Sequence, residues 1–267
     1  MHIEEIIAKI TPVDAKCAEA AQKRFDNLIK PVGSLAKLEI MISRYAAIVG
    51  RTDKNELDYP KRSLLIWGGT EDTAAAAKIM EGRWPVSVLA AETGAEAVPF
   101  IVTAEDEESA MEEGAGLVQE MIQKHKLELL GFGCLASADN AIVRAAMTGG
   151  LLQAAAMKTG VILDGLAVCR AAAWARELAP LSVNYFFAGH VTEEEGDEAA
   201  LEQLSLSAPL RLNITSGSGD GAAMAFTLFD AGLKAYKEME TFEEAGVHVE
   251  VKDYSRAEET KRAHWKQ

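Results

Sequence analysis

Between residues 60 and 240 the chain repeats one rhythm. A short run of apolar residues is followed by glycine or another turn residue, then by a longer stretch with apolar side chains at helical spacing. The short runs are Ser63–Trp67, Val98–Val102, Leu127–Leu130, Val161–Leu163, Val183–Ala188 and, as a sixth, Leu210–Ile214. Helical patterns lie at Glu107–Lys124, Ala141–Lys158, Ala167–Leu178 and Ala222–Met239. Runs that are apolar on successive residues suit strands covered on both faces. Alternation of strand and helix predicts an α/β fold with a mostly parallel sheet of about six strands.

The first fifty residues read as helices instead. Ile3, Ile6, Ile7 and Ile10 share one face. Asp14 is placed to cap a second helix through Ala18, Ala21 and Phe25. A third, from Ser34, carries Leu35, Leu38, Ile42, Tyr45, Ala46 and Val49 and ends at Gly50.

Charge and composition remove several classes of function. The formal net charge is −14 and no dense basic run occurs, so neither a nucleic acid nor an anionic membrane is expected as partner. No stretch is long and apolar enough to span a membrane, and the charged N-terminus is no signal peptide, which points to the cytoplasm. Cys17, Cys134 and Cys169 lie far apart with no CxxC pair, as reduced thiols rather than a disulfide or metal site. GxGxxG, the P-loop and HExxH are absent; GxSxG has one formal match, GSGDG at Gly217–Gly221, with aspartate in the nucleophile's place. Among five scattered histidines only His190 follows a strand, and a lone histidine there reads as structural.

In parallel sheets ligands sit beyond the carboxyl ends of the strands. Five such ends carry glycine or small polar residues: Gly68–Thr70, Gly131–Asn140, Asp164–Gly165, Gly189–His190 and Thr215–Gly221. Glycine lets the backbone approach a ligand, and a helix N-terminus beyond it offers N–H groups to a phosphate. The residues expected to meet a ligand are Gly68, Gly69, Gly131, Gly133, Ser137, Asn140, Asp164, Gly165, Ser216, Gly217, Gly219 and Gly221.

Several blocks carry a resemblance. RFDNLIKPVGSLAKLE (Arg24–Glu39), the LDG around Asp164–Gly165, AGHVTEEEG (Ala188–Gly196) and LNITSGSGDGAAMAFTLFDAGLKAYKEMETFEEAGV (Leu212–Val247) resemble, in order, the nicotinate-nucleotide:dimethylbenzimidazole phosphoribosyltransferase family. The resemblance implies a doubly wound α/β domain, here residues 61–239. It also implies a small helical domain from the N- and C-terminal segments, here 1–60 and 240–267. It further implies dimers whose subunits complete each other's sites, and transfer of phosphoribose from nicotinate mononucleotide to an aromatic base with inversion at the anomeric carbon. That reaction serves the cobamide lower ligand and needs no cofactor and no metal.

The same comparison marks departures. The family's general-base glutamate falls on Ser218, and a hydroxyl cannot take up a proton without a base of its own. The second family acid falls on Cys134, and Asp139 stands where an aspartate would repel a phosphate. Glu71, Asp72 and Asp220 are expected as solvated helix-cap carboxylates, with Asp220 and Glu71 as weak substitutes for the base; Arg83 is a candidate anion partner. The stretch that follows the first strand in the family, and that helps wall its base slot, is much shortened here. Whether the chain is an active enzyme is therefore open at this level. The alternative is a catalytically silent paralogue or subunit that binds nucleotide or pairs with an active homologue, as a homodimer or heterodimer.

Overall fold

A computed structural model describes residues 2–247. The expectations for 248–267, including His248, His264 and most of the C-terminal share of the small domain, lie outside the described residues. Three helices come first: α1 (Ile3–Ile7), α2 (Ala15–Asn27) and α3 (Lys37–Val49). Strand β1 (Arg62–Gly68) passes through a 3₁₀ turn at Thr70–Asp72 into α4 (Thr73–Met80), α5 (Pro85–Glu92) and β2 (Glu96–Ile101). Then come α6 (Glu107–His125), β3 (Leu129–Cys134), α7 (Ala141–Ala156), β4 (Gly160–Asp164), α8 (Leu166–Leu178) and β5 (Phe186–His190). The short α9 (Asp197–Gln203) and the long α10 (Asp220–Glu238) follow.

The described strands form one parallel sheet of five, in the order β2-β1-β3-β4-β5. Every residue of β3, β4 and β5 is buried, which is why their sequences are apolar at consecutive positions. Strand β2 lies at an edge, is half-buried, and tolerates Pro99 there. The order reverses between β1 and β3, so the sheet is doubly wound and its switch point lies between those two strands.

Two corrections to the sequence reading concern the strands. Leu210–Ile214 is not a sixth strand; it meets β5 through a single bridge between His190 and Leu210. Asn213 has φ +57°, outside the extended region, and the Leu212 N–H is taken by the His190 side chain instead of a ladder partner. The other strands run further than their apolar residues suggest. The register pairs Ile66 with Gly133 and Trp67 with Cys134, so Gly131, Gly133 and Cys134 are strand residues, as is Asp164 in β4. Val183–Tyr185 belongs to a 3₁₀ turn, and β5 instead takes in Gly189 and His190.

Cα packing divides the chain into two compact units, residues 2–13 with 60–228, and 14–59 with 229–247 of those described. In the first, α1 packs on α7, and the Tyr185 hydroxyl donates to the Thr11 carbonyl at 2.8 Å. Under the sheet, Trp67 meets Phe100 and Phe132 with ring centroids 5.4 and 5.2 Å apart.

In the second unit Asp14 caps α2, accepting from the N–H groups of Lys16 and Cys17, and Gly50 ends α3 at φ +67°. Helix α3 starts at Lys37 rather than Ser34 because Ala36 sits at φ +45°. Arg24 donates to the carbonyls of Tyr236 (2.9 Å) and Met239 (3.1 Å), at and just beyond the last turn of α10. Lys30 and Glu39 form an ion pair at 2.7 Å with both side chains under a tenth exposed. The block at Arg24–Glu39 therefore has a structural use: its charged residues tie α2, α3 and the end of α10 together.

Candidate active site

All five expected segments end on one side of the sheet within the first unit, and they divide into two groups. The first group is built around Asp164, the last residue of β4, which is fully buried. A register shift between Leu163 and Asp164 makes Leu163 face Ala188 but Asp164 face His190, and such a bulge re-aims a side chain. One oxygen of Asp164, Oδ2, accepts the N–H groups of Gly219 and Gly221, each at 3.0 Å. The other, Oδ1, has no hydrogen-bond partner among the described residues. Burial pushes the Asp164 carboxyl up to about 8; Asp220 and Asp197 push the same way, and the two N–H bonds oppose them.

That arrangement explains the glycines. Gly133 and Gly219 lie so close that a Cβ on Gly133 would stand 2.3 Å from the Gly219 nitrogen. A Cβ on Gly165, at φ +85°, would stand 2.3 Å from the Gly217 Cα. The Cys134 N–H donates to the Gly217 carbonyl at 2.8 Å, which joins the end of β3 to the loop. Gly131 faces Leu64 and Ala222. Gly131, Gly133, Gly165, Gly217, Gly219 and Gly221 thus let the 216–221 loop seat against β3 and β4, and the N–H groups of Gly219 and Gly221 are spent on Asp164.

The loop also carries a hydrogen-bonded pair of side chains. Ser218, only 7% exposed, donates its hydroxyl to Asp220 Oδ2 at 2.7 Å, and its oxygen lies 3.1 Å from the hydroxyl of the exposed Ser216. Asp220 is also 7% exposed and its Oδ1 has no partner among the described residues. This corrects the expectation of a solvated cap: Asp220 is buried and accepts the Ser218 hydroxyl.

The second group spans the switch point. Asp72 Oδ2 accepts the Gly69 N–H at 2.9 Å and so fixes the turn after Gly68. Glu71, exposed, accepts from the Asn140 side-chain amide at 3.3 Å, and Asn140 Oδ1 caps α7 by accepting the Val143 N–H at 3.0 Å. Ser137 accepts the Asn140 N–H on its carbonyl. Asp139, expected to face a phosphate, is paired with Arg170 at 2.6 Å. Arg83 is exposed and pairs with Glu81, not with these loops. Cys134 is buried, its thiol pushed up to about 12 by burial, with Asp72, Glu194 and Glu71 adding to the shift. It is no thiolate nucleophile.

Two contributors escaped the sequence reading. Glu194 Oε2 accepts the Leu166 N–H at 3.0 Å, so the chain's own carboxylate occupies the N-terminus of α8. Asp197, fully buried, accepts both the N–H and the hydroxyl of Thr192 at 2.8 Å. Both lie in or just beyond the AGHVTEEEG block, and its acidity was the available signal. His190 Nε2 accepts the Leu212 N–H at 2.8 Å and so holds the 210–214 segment, and burial lowers its pKa. A groove of about 400 Å³ beside it is lined by Glu193, Glu194, Glu198 and Glu202 with Arg211, an acidic wall on which a phosphate finds one paired cation. Among the described residues no cluster of His, Cys, Asp and Glu is arranged to hold a metal, and no helix is long and apolar enough to cross a membrane.

The fold defines an α/β protein of the doubly wound class, in which ligands sit at the carboxyl ends of parallel strands. A family model described as DBI_PRT, phosphoribosyltransferase, matches residues 10–104 and 140–247, and the chain belongs to that family. The unmatched stretch between them carries β3 and Cys134. The nicotinate-nucleotide–dimethylbenzimidazole phosphoribosyltransferase of Geotalea uraniireducens (strain Rf4) is 27% identical, over 92% of this chain and 98% of that protein. The protein of the same name from Chlorobium chlorochromatii (strain CaD3) is 39% identical over 45% of this chain and 34% of its own. In fold, the chain is similar to the crystal structure of the enzyme of that name from Thermus thermophilus, with a TM-score of 0.77, 19% identity, and 88% and 99% of the two chains covered.

Proposed function

We propose that this chain moves the phosphoribosyl group of nicotinate mononucleotide to an aromatic base of the dimethylbenzimidazole type, releasing nicotinate, in the making of a cobamide lower ligand. The observation that carries this reading is similarity to transferases of that name along nearly the whole of both chains. The strand-end loops support it chemically. Their small residues and a bonded pair of Ser218 hydroxyl and Asp220 carboxyl suit close approach of a sugar and the uptake of a proton. Binding both substrates beside each other supplies much of the remaining acceleration.

The nucleotide-facing set in this reading is Gly68, Gly69, Ser137, Asn140 and Ser216, with Gly131, Gly133, Gly165, Gly217, Gly219 and Gly221 shaping the loop behind them. The helical unit is read as the small domain. A homodimer, or a heterodimer with a homologue, and a cytoplasmic location belong to the same proposal. The test is nicotinate release from nicotinate mononucleotide by the purified chain, with benzimidazoles, phenols and purines as acceptors. Release dependent on one acceptor is expected; no release with any of them overturns the reading.

A further inference from the structure

The geometry points to Ser216, Ser218 and Asp220 as a proton path that replaces the missing family glutamate, with the exposed Ser216 hydroxyl receiving the acceptor's proton and buried Asp220 holding it. This rests on the transferase reading above and names the residues that complete it.

A hydroxyl has one hydrogen to give. Ser218 gives its own to Asp220 Oδ2 at 2.7 Å, so the 3.1 Å contact with Ser216 is made by the Ser216 hydroxyl donating to Ser218. All hydrogens then point inward, from the exposed residue to the buried carboxylate, and the lone pairs of Ser216 are left for a donor outside. Asp220 Oδ1 is buried without a partner among the described residues. A carboxylate kept only to cap α10 would turn its oxygens to the helix N–H groups.

Other carboxyls are less suited. Asp164 is fully buried, with Oδ2 committed to Gly219 and Gly221. Glu71 is exposed and holds Asn140. Glu194 is bound to the start of α8.

In the step, the acceptor nitrogen bonds to the anomeric carbon while the bond from that carbon to the nicotinate ring nitrogen breaks. The breaking pair stays on nicotinate, whose ring loses its positive charge. The acceptor's N–H proton passes to Ser216, the Ser216 proton to Ser218, and the Ser218 proton to Asp220. Charge and protons balance with no further reactant. Ser216 is the group that touches the acceptor; Asp220 acts through the two hydroxyls.

Three variants test this. Asp220→Asn keeps an acceptor for Ser218 but cannot hold the proton; kcat is expected to fall about a hundredfold or more with little change in KM for the nucleotide. Ser216→Ala, at an exposed position that leaves folding intact, is expected to lower kcat in the same way. Ser218→Glu added to Asp220→Asn puts a carboxylate at the family position and is expected to restore turnover. Thermal unfolding of each variant separates misfolding from lost chemistry. An unchanged kcat in Asp220→Asn or in Ser216→Ala overturns the path and leaves the transferase reading standing. No wild-type turnover with any acceptor overturns both.

Discussion

Replacing Asp164 by asparagine should change how stability depends on pH. In the folded chain burial holds the carboxyl near 8, whereas its ordinary value is 3.8. Between those values the folded protein keeps a proton that the unfolded chain has released. Stability from this group is therefore fully present below pH 3.8 and is lost as pH rises toward 8. The slope is ~1.4 kcal/mol per pH unit at its steepest, so the rise from pH 5 to pH 8 costs ~3–4 kcal/mol through this one carboxyl. Asparagine is isosteric, keeps an oxygen for the Gly219 and Gly221 N–H groups, and does not titrate. Asp220, Asp197 and His190, which surround the site, are present in both proteins, so comparison subtracts them. Urea midpoints by circular dichroism across that range should fall faster with pH in the wild type than in Asp164→Asn, with the variant the more stable at pH 8. Parallel curves would show that Asp164 is ionised in the folded state and would refute the account of the loop as latched by a largely neutral acid.

Other consequences follow from the same geometry. Gly133→Ala and Gly217→Ala each drive a methyl into the facing backbone and should cost ~1–3 kcal/mol or more in urea midpoint, with turnover lost in parallel. Lys30→Met removes the cation from the buried Glu39, which keeps the Leu35 N–H and the Gln22 amide, and should destabilise by ~3 kcal/mol, measured by urea unfolding. Glu194→Gln removes a negative charge from the N-terminus of α8 while keeping an acceptor for Leu166. It should tighten nicotinate mononucleotide binding by about fivefold in calorimetry, the equivalent of ~1 kcal/mol of like-charge repulsion.

Much of the fold was legible because strands buried on both faces leave an unmistakable mark, as at Ser63–Trp67 and Val161–Leu163. Where that signal is diluted by glycine, reading stops too early. Strand β3 continues through Gly131-Phe132-Gly133-Cys134, and glycines carry no apolar side chain to count. Leu210–Ile214 errs in the other direction: its residues look like a strand, but Asn213 turns the backbone and His190 takes a ladder hydrogen bond.

At the site, Asp164 was singled out from a strand end and the glycine loop from Leu210–Ile214, which is no strand. What the glycines pack against was not legible, since a glycine that approaches a ligand and one that approaches another strand look the same in sequence. Asp220 was undervalued for a related reason. An acid in the first turn of a helix is usually solvated, and only the structure shows the burial of Asp220 and its 2.7 Å bond from Ser218.

The most direct measurement is a crystal structure of the chain soaked with nicotinate mononucleotide. The account predicts the nucleotide at the carboxyl ends of β1, β3 and β4, with its reacting ribose carbon on the side of the 216–221 loop where the Ser216 hydroxyl opens. Nucleotide bound instead in the acidic groove beside Arg211, or away from Ser216 altogether, would contradict it.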